Sequence, residues 1–153
     1  MSGAGEAIRE SILKLLARRE HAGQEILQKL KSRGHDPAAV APVLEDLQRR
    51  GLQSDRRYTE AYIRSRAERG YGPQRIINEL RQRGVAEDLI DAGMDACEVD
   101  WQDLLAAVRG KKFGAARPGN YPAIMKQSAF LQYRGFTNDQ IRKYFRQDSD
   151  DGQ

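Results

Sequence analysis

The chain has 153 residues, of which 39% are apolar and 31% charged, with five prolines and a formal net charge of +4, a balance that excludes an intrinsically disordered polymer and suits a soluble helical protein. No apolar run approaches the roughly 20 residues needed to cross a bilayer, and the opening segment MSGAGEAIRE lacks the apolar stretch of a signal peptide, so a cytoplasmic protein without membrane contact is expected. The single cysteine, Cys97, cannot form an internal disulfide and reads as a core thiol of a reducing compartment.

Taken in chain order, Ile8, Ile12, Leu15 and Leu16 fall at i, i+4, i+7 and i+8 and predict a first amphipathic helix. Ile26, Leu27 and Leu30 form the stripe of a second, which Arg33-Gly34 stops, because the residue after a helix often needs the positive φ that Gly adopts freely. Asp36-Pro37 then supplies an N-cap and a proline at the first helical position for a third, carrying Val40 and Leu44. The pattern restarts with Tyr58, Ala61, Tyr62 and Ser65 as an inward face. A turn with Gly72 as N-cap and Pro73 opening the helix leads into Ile76, Ile77 and Leu80, and Arg83-Gly84 ends that helix before the weak cap Val85-Ala86 and a helix with Ile90 and Met94. A last set begins at Asp100, an N-cap for Trp101 to Lys112 with Leu104, Leu105 and Val108 inward. The stretch FGAARPGN, Phe113 to Asn120, predicts a mobile loop. After Leu131 and Arg134-Gly135, Thr137 and Gln140 form a capping box ahead of Ile141 and Phe145.

Superposing EILQKLKSRGHDPAAVAPVL, RIINELRQRGVAEDLIDAGM and KQSAFLQYRGFTNDQIRKYF aligns Leu30 with Leu80 and Leu131, each followed by Arg-Gly, at offsets of 50 and 51 residues. Val40, Ile90 and Ile141 coincide, as do Leu44, Met94 and Phe145. The sequence therefore predicts an all-α fold of three tandem three-helix repeats, residues 1–53, 54–99 and 100–147, with a disordered tail at 148–153. Three helices in about 50 residues bury too little to stand securely alone, so the repeats are expected to stack into an elongated, curved array.

Charge comes in blocks. From Arg56 to Arg83 there are eight arginines and three acids; from Gly84 to Asp103 seven acids and no base; from Leu104 to Arg134 six bases and no acid. Neighbouring helices neutralising one another and a surface matched to a partner both account for this pattern. The 19 arginines against 7 lysines favour planar, bidentate recognition of carboxylate or phosphate.

Chemistry is scarce. His21 and His35 lack the neighbours of a metal site, no phosphate-cradling glycine loop occurs, and Cys97 has no histidine near it in sequence. The acids from Glu87 to Asp103 are spread along a helix rather than gathered into an oxygen cage. Neither enzymatic activity nor a cofactor or metal is expected.

The segment LARREHAGQEILQKLKSRG (Leu16 to Gly34) resembles the first block of RecX proteins, and YTEAYIRSRAERGYGPQRIINELRQRGV (Tyr58 to Val85) resembles the second, which is the more specific signal. Trp101 after an acidic helix, Lys111-Lys112-Phe113 and FLQYRGFTNDQIRKYF resemble the third, so the likeness covers nearly the whole chain. Ala22 departs from it where the family carries a capping serine, a loss of about 1 kcal/mol. The resemblance implies a monomeric regulator that binds RecA, enters the groove of the RecA–DNA filament and suppresses ATP hydrolysis, strand exchange and co-protease activity, acting in DNA repair and the SOS response. A helical-repeat protein whose primary ligand is DNA, and an adaptor for another partner, are the alternatives; weak direct DNA binding accompanies either of the first two readings. Arg57, Arg64, Arg66, Arg69, Arg75, Arg81, Arg109, Lys111, Lys112 and Lys126 are the candidate contacts with the filament or with DNA, since they lie in or beside the family-like blocks and carry the local charge excess.

Overall fold

A computed structural model describes residues 3–151, with side chains described to Arg146. The tail expected at 148–153 lies, in its side chains and in residues 152 and 153 entirely, outside the described residues. Among these are nine helices and no strand: α1 (Gly3–Arg18), α2 (Gly23–Ser32), α3 (Pro37–Arg49), α4 (Asp55–Glu68), α5 (Pro73–Gln82), α6 (Glu87–Ala96), α7 (Trp101–Phe113), α8 (Tyr121–Arg134) and α9 (Asn138–Asp151). The chain folds as two compact units, one taking Met1–Tyr62 with Leu80–Asp95, the other Ile63–Glu79 with Ala96–Gln153. Helices α4 and α5 each contribute to both.

In the first unit, α1 and α2 pack on α3 through Ile8, Ile12, Ile26, Leu30, Val40, Leu44 and Leu47, all buried. Removing each such side chain from water is worth about 1.5–3 kcal/mol, and that drives the three amphipathic stripes together. The start of α2 shows how the chain manages without a capping serine. Ala22, wholly buried, occupies the N-cap, and its N–H donates to Glu25 Oε1 at 3.2 Å, half of a capping box. The N–H of Gly23 donates to Asp55 Oδ1 at 2.8 Å, and Gln53 Nε2 donates to both His21 O and Asp55 Oδ1, at 2.9 and 3.0 Å. A carboxylate 32 residues downstream thus satisfies a helix-terminal donor that would otherwise be orphaned.

The second unit packs α7, α8 and α9 against one another around Leu105, Val108, Leu131, Phe136 and Ile141. The caps read from the sequence form here: Asp100 accepts from Asp103 N–H at 3.0 Å, and Thr137 and Gln140 exchange both bonds of the box, at 2.9 and 3.1 Å. In the first unit Asp36 likewise accepts from Ala38 N–H at 3.0 Å. The repeated leucines Leu30, Leu80 and Leu131 are fully buried, and Val40, Ile90 and Ile141 are buried with them.

Three local expectations are corrected. The inward face of α4 is Tyr58, Thr59, Ile63 and Ala67, while Ser65 is exposed and Ala61 and Tyr62 are half-buried; Tyr58 and the branched aliphatic Ile63 set the face, which Tyr62 only borders. Cys97, expected as a core thiol, is only half-buried and lies just beyond α6, which stops at Ala96. The segment from Gly114 to Asn120 is irregular as expected, but its Gly114 and Ala116 carbonyls accept from Arg109 at 2.9 and 3.5 Å, which ties it to α7.

Candidate functional site

Within the second unit the turn after α8 seats on the start of α5. The N–H groups of Gly72 and Gln74 donate to the carbonyls of Arg134 and Gly135 at 2.8 and 2.9 Å. A Cβ at Gly72 would stand 2.4 Å from the carbonyl carbon of Gly135, so only glycine permits this approach. The contact brings Arg134 over the ring of Tyr71, guanidinium carbon to centroid 4.8 Å. Arg66 from α4 and Arg75 from α5 lie against the same ring, at 4.0 and 4.4 Å. Glu79 accepts from Arg66 Nε and Nη2 at 3.1 and 2.9 Å and stands 3.9 Å from Arg75 Nε. Arg75 also donates to the Tyr133 carbonyl at 3.3 Å and lies 5.5 Å from its ring. Cation–π contacts of this kind contribute about 0.5–2 kcal/mol each.

Helix α8 turns a continuous arc outward. Tyr121, Pro122, Met125, Lys126, Ala129, Gln132 and Tyr133 are all exposed and, at about 100° per residue, span roughly 140° of the helix surface. Tyr121 and Tyr133 are 70% and 75% exposed, so both rings lie on the surface and not in the core. No acid occurs between Leu104 and Asn138, so this face carries Lys126 and two tyrosines and no opposing negative charge.

The predicted contact residues fall into four groups. Arg66 and Arg75 are brought together at Tyr71. Arg64, Arg69, Lys111 and Lys126 are exposed, as is Lys112, whose ammonium stands 5.6 Å from the Phe130 ring. Arg57 and Arg81, in the first unit, are engaged with acids, Arg57 with Glu20 at 3.0 Å and Arg81 with Glu87. Arg109 is a correction: it is 4% exposed and donates to Gln127 Oε1 at 3.1 Å as well as to the loop carbonyls, so it is an internal clasp and not a surface contact. Sequence reasoning missed Arg134, Tyr71 and Tyr133. The first was visible only as a marker of the repeat and the second as a turn residue. The alternation of cation and ring around them was the available signal.

The first unit carries the corresponding junction. Arg83 stands 3.7 Å from Glu25 Oε2 and 5.0 Å from the Tyr62 ring. Burial pushes the Tyr58 hydroxyl up to about 12 against the pull of Arg83. Burial would raise the Glu25 carboxyl, but the hydrogen bonds from Arg19, at 2.6 and 3.2 Å, outweigh it and hold the group below its usual range. Among the described residues no group of His, Cys, Asp or Glu is placed to hold a metal ion, and no helix is long and apolar enough to cross a membrane.

Comparison with known proteins gives three family matches in chain order: the first three-helix domain of RecX over residues 9–47, the second over 54–94 and the third over 98–145. A regulatory protein RecX of Halorhodospira halophila is 52% identical over 139 residues, 91% of this chain and 86% of the relative. One of Pseudomonas fluorescens is 41% identical over 137 residues, 90% and 88% of the two chains. The crystal structure of RecX from Lactobacillus salivarius superposes with a TM-score of 0.80 at 17% identity, covering 96% of this chain and 97% of that one.

Proposed function

This chain belongs to the RecX family of regulatory proteins, and from that membership we propose that it binds RecA and the RecA–DNA filament and inhibits ATP hydrolysis, strand exchange and co-protease activity. The observation that carries the reading is the consecutive match of all three RecX domains. The acid-free stretch from Leu104 to Asn138, with exposed Lys111, Lys112 and Lys126, supports it, because such a basic stretch attracts phosphates and acidic protein faces at long range. Exposed Arg64, Arg69, Lys111, Lys112 and Lys126, with Arg66 and Arg75 at Tyr71, make the principal contacts; Arg57 and Arg81 contribute less, since each is already engaged with a carboxylate.

The repeats are proposed at 1–53, 54–99 and 100–147. The protein acts as a cytoplasmic monomer without cofactor or catalysis of its own. The deciding experiment titrates the chain into RecA turning over ATP on single-stranded DNA. Turnover should fall as the chain is added, and unchanged turnover with the filament present at saturating protein refutes the reading. Direct action on DNA is the second reading, favoured by the exposed tyrosines interleaved with cations on α8.

A further inference from the structure

Three guanidinium groups surround the ring of Tyr71, at 4.0, 4.4 and 4.8 Å from its centroid. The cluster is paired with one carboxylate, Glu79, which Arg66 holds with two hydrogen bonds. The cluster therefore carries two positive charges in excess of its own acid. Like charges held this close repel one another, and stacking on a phenol ring relieves only part of that cost.

Arg134 shows the imbalance most clearly. Its guanidinium lies over Tyr71 and 5.7 Å from Phe130, and among the described residues no hydrogen bond or ion pair engages its five N–H donors. Its backbone explains why it stays there: the Arg134 and Gly135 carbonyls are fixed on the α5 start by the two bonds from Gly72 and Gln74. A ring supports the side chain from one side, and the planar donor fork is engaged by none of the described residues. Arg33, the same position of the first repeat, is exposed and its Gly34 has nothing within 4 Å of an added Cβ, so it lacks this setting.

We propose that Arg134 and Arg75, supported on Tyr71, form a binding site for a phosphate group, with the Arg134 fork supplying paired donors to two phosphate oxygens. A doubly charged phosphate or successive phosphodiesters of a nucleic-acid strand would neutralise the excess, and a guanidinium matches either by geometry as well as charge. The site deepens the filament reading by naming what this surface takes hold of, but its test contains no RecA and can fail independently of that reading.

The test uses the full chain alone. The Nε–H signals of its arginines are followed by nuclear magnetic resonance while inorganic phosphate, or separately a short single-stranded oligothymidylate, is added. Oligonucleotide affinity is then measured across a salt series for the parent, Arg134→Gln, Arg134→Lys and Arg33→Gln. If the site takes a strand, the oligonucleotide moves the Arg134 and Arg75 signals at far lower concentration than phosphate does. Arg134→Gln then loses several-fold in affinity and its log–log salt slope becomes shallower by about 0.7, one single-strand phosphate contact, while Arg134→Lys keeps most of the slope and Arg33→Gln keeps all of it. If phosphate alone moves the same signals and the strand binds no more tightly, the site takes free phosphate. Arg134 and Arg75 signals that neither probe moves would overturn the proposal, leaving the cluster a purely structural stack; the parent protein settles this even where a variant folds poorly.

Discussion

The three Arg-Gly turns are identical as dipeptides, yet the structure makes their glycines unequal, and alanine substitution at Gly34 and Gly135 should reveal it. At Gly34, φ is +91° and nothing lies within 4 Å of an added Cβ, so the cost is that of a left-handed backbone alone, about 1–2 kcal/mol. At Gly135, φ is +105° and the new Cβ would stand 2.3 Å from Arg75 Cβ and 2.8 Å from its backbone nitrogen. Backbone cannot step aside as a side chain can. The turn must lift off α5, which sacrifices the bonds from Gly72 and Gln74 to Arg134 O and Gly135 O at about 1 kcal/mol each. Gly135→Ala should therefore cost about 3–4 kcal/mol in all. Gly84, facing the flexible Gln24 side chain, falls between. Urea denaturation at constant m-value measures the series. Equal costs at Gly34 and Gly135, or the larger cost at Gly34, would refute the docking of the third turn on α5.

Leu30→Ala, Leu80→Ala and Leu131→Ala should each cost about 2–5 kcal/mol as fully buried truncations; near-neutral results in denaturation would place the core elsewhere. Arg109→Ala strips the Gln127 amide and two loop carbonyls of a charged donor, so a loss of about 3 kcal/mol is expected, read as lower stability rather than as a selective loss of RecA inhibition. Burial lowers the pKa of His21, whose Nδ1 lies 3.0 Å from Arg19 O and whose Nε2 accepts from Lys29 at 3.3 Å. The unfolded chain therefore binds the proton more readily, and stability present above about pH 6.5 should decline as pH falls toward the lowered folded value; melting of the parent and His21→Gln at pH 7 and pH 5.5 should show a smaller loss in the variant. Replacing Arg64, Arg69, Lys111 and Lys126 with Glu should leave helicity and melting nearly unchanged and weaken inhibition of the RecA ATPase at both of two salt concentrations. Reversal of Asp88, Asp91 and Asp95 having the larger effect would instead assign the decisive contact to α6.

The division between what the sequence reveals and what it hides follows the range of the interaction. Leu30, Leu80 and Leu131 were legible because a helix face, its stop and the next cap are specified within a few residues, and each is repeated three times. The face of α4 was misjudged because Tyr62 and Ser65 satisfy the helical spacing as well as Ile63 and Ala67 do, and only packing decides between two such stripes. Charge was harder still. Arg109 and Lys111 are near neighbours in one basic run, but Arg109 points where Gln127 and the Gly114 and Ala116 carbonyls converge, and nothing local distinguishes a buried guanidinium with carbonyl acceptors from an exposed one. Asp55 capping Gly23 and Arg134 reaching Tyr71 are likewise joined only by folding. The same reasoning explains why the repeat marker became the centre of the site. A turn that must dock on another helix fixes its own backbone, and a side chain on a fixed backbone loses less entropy when it binds a ligand than one on a free loop. Arg134, anchored by the carbonyls that make it part of the repeat, is therefore better placed to bind an anion than the more exposed Arg33, whose Gly34 has nothing within 4 Å of an added Cβ.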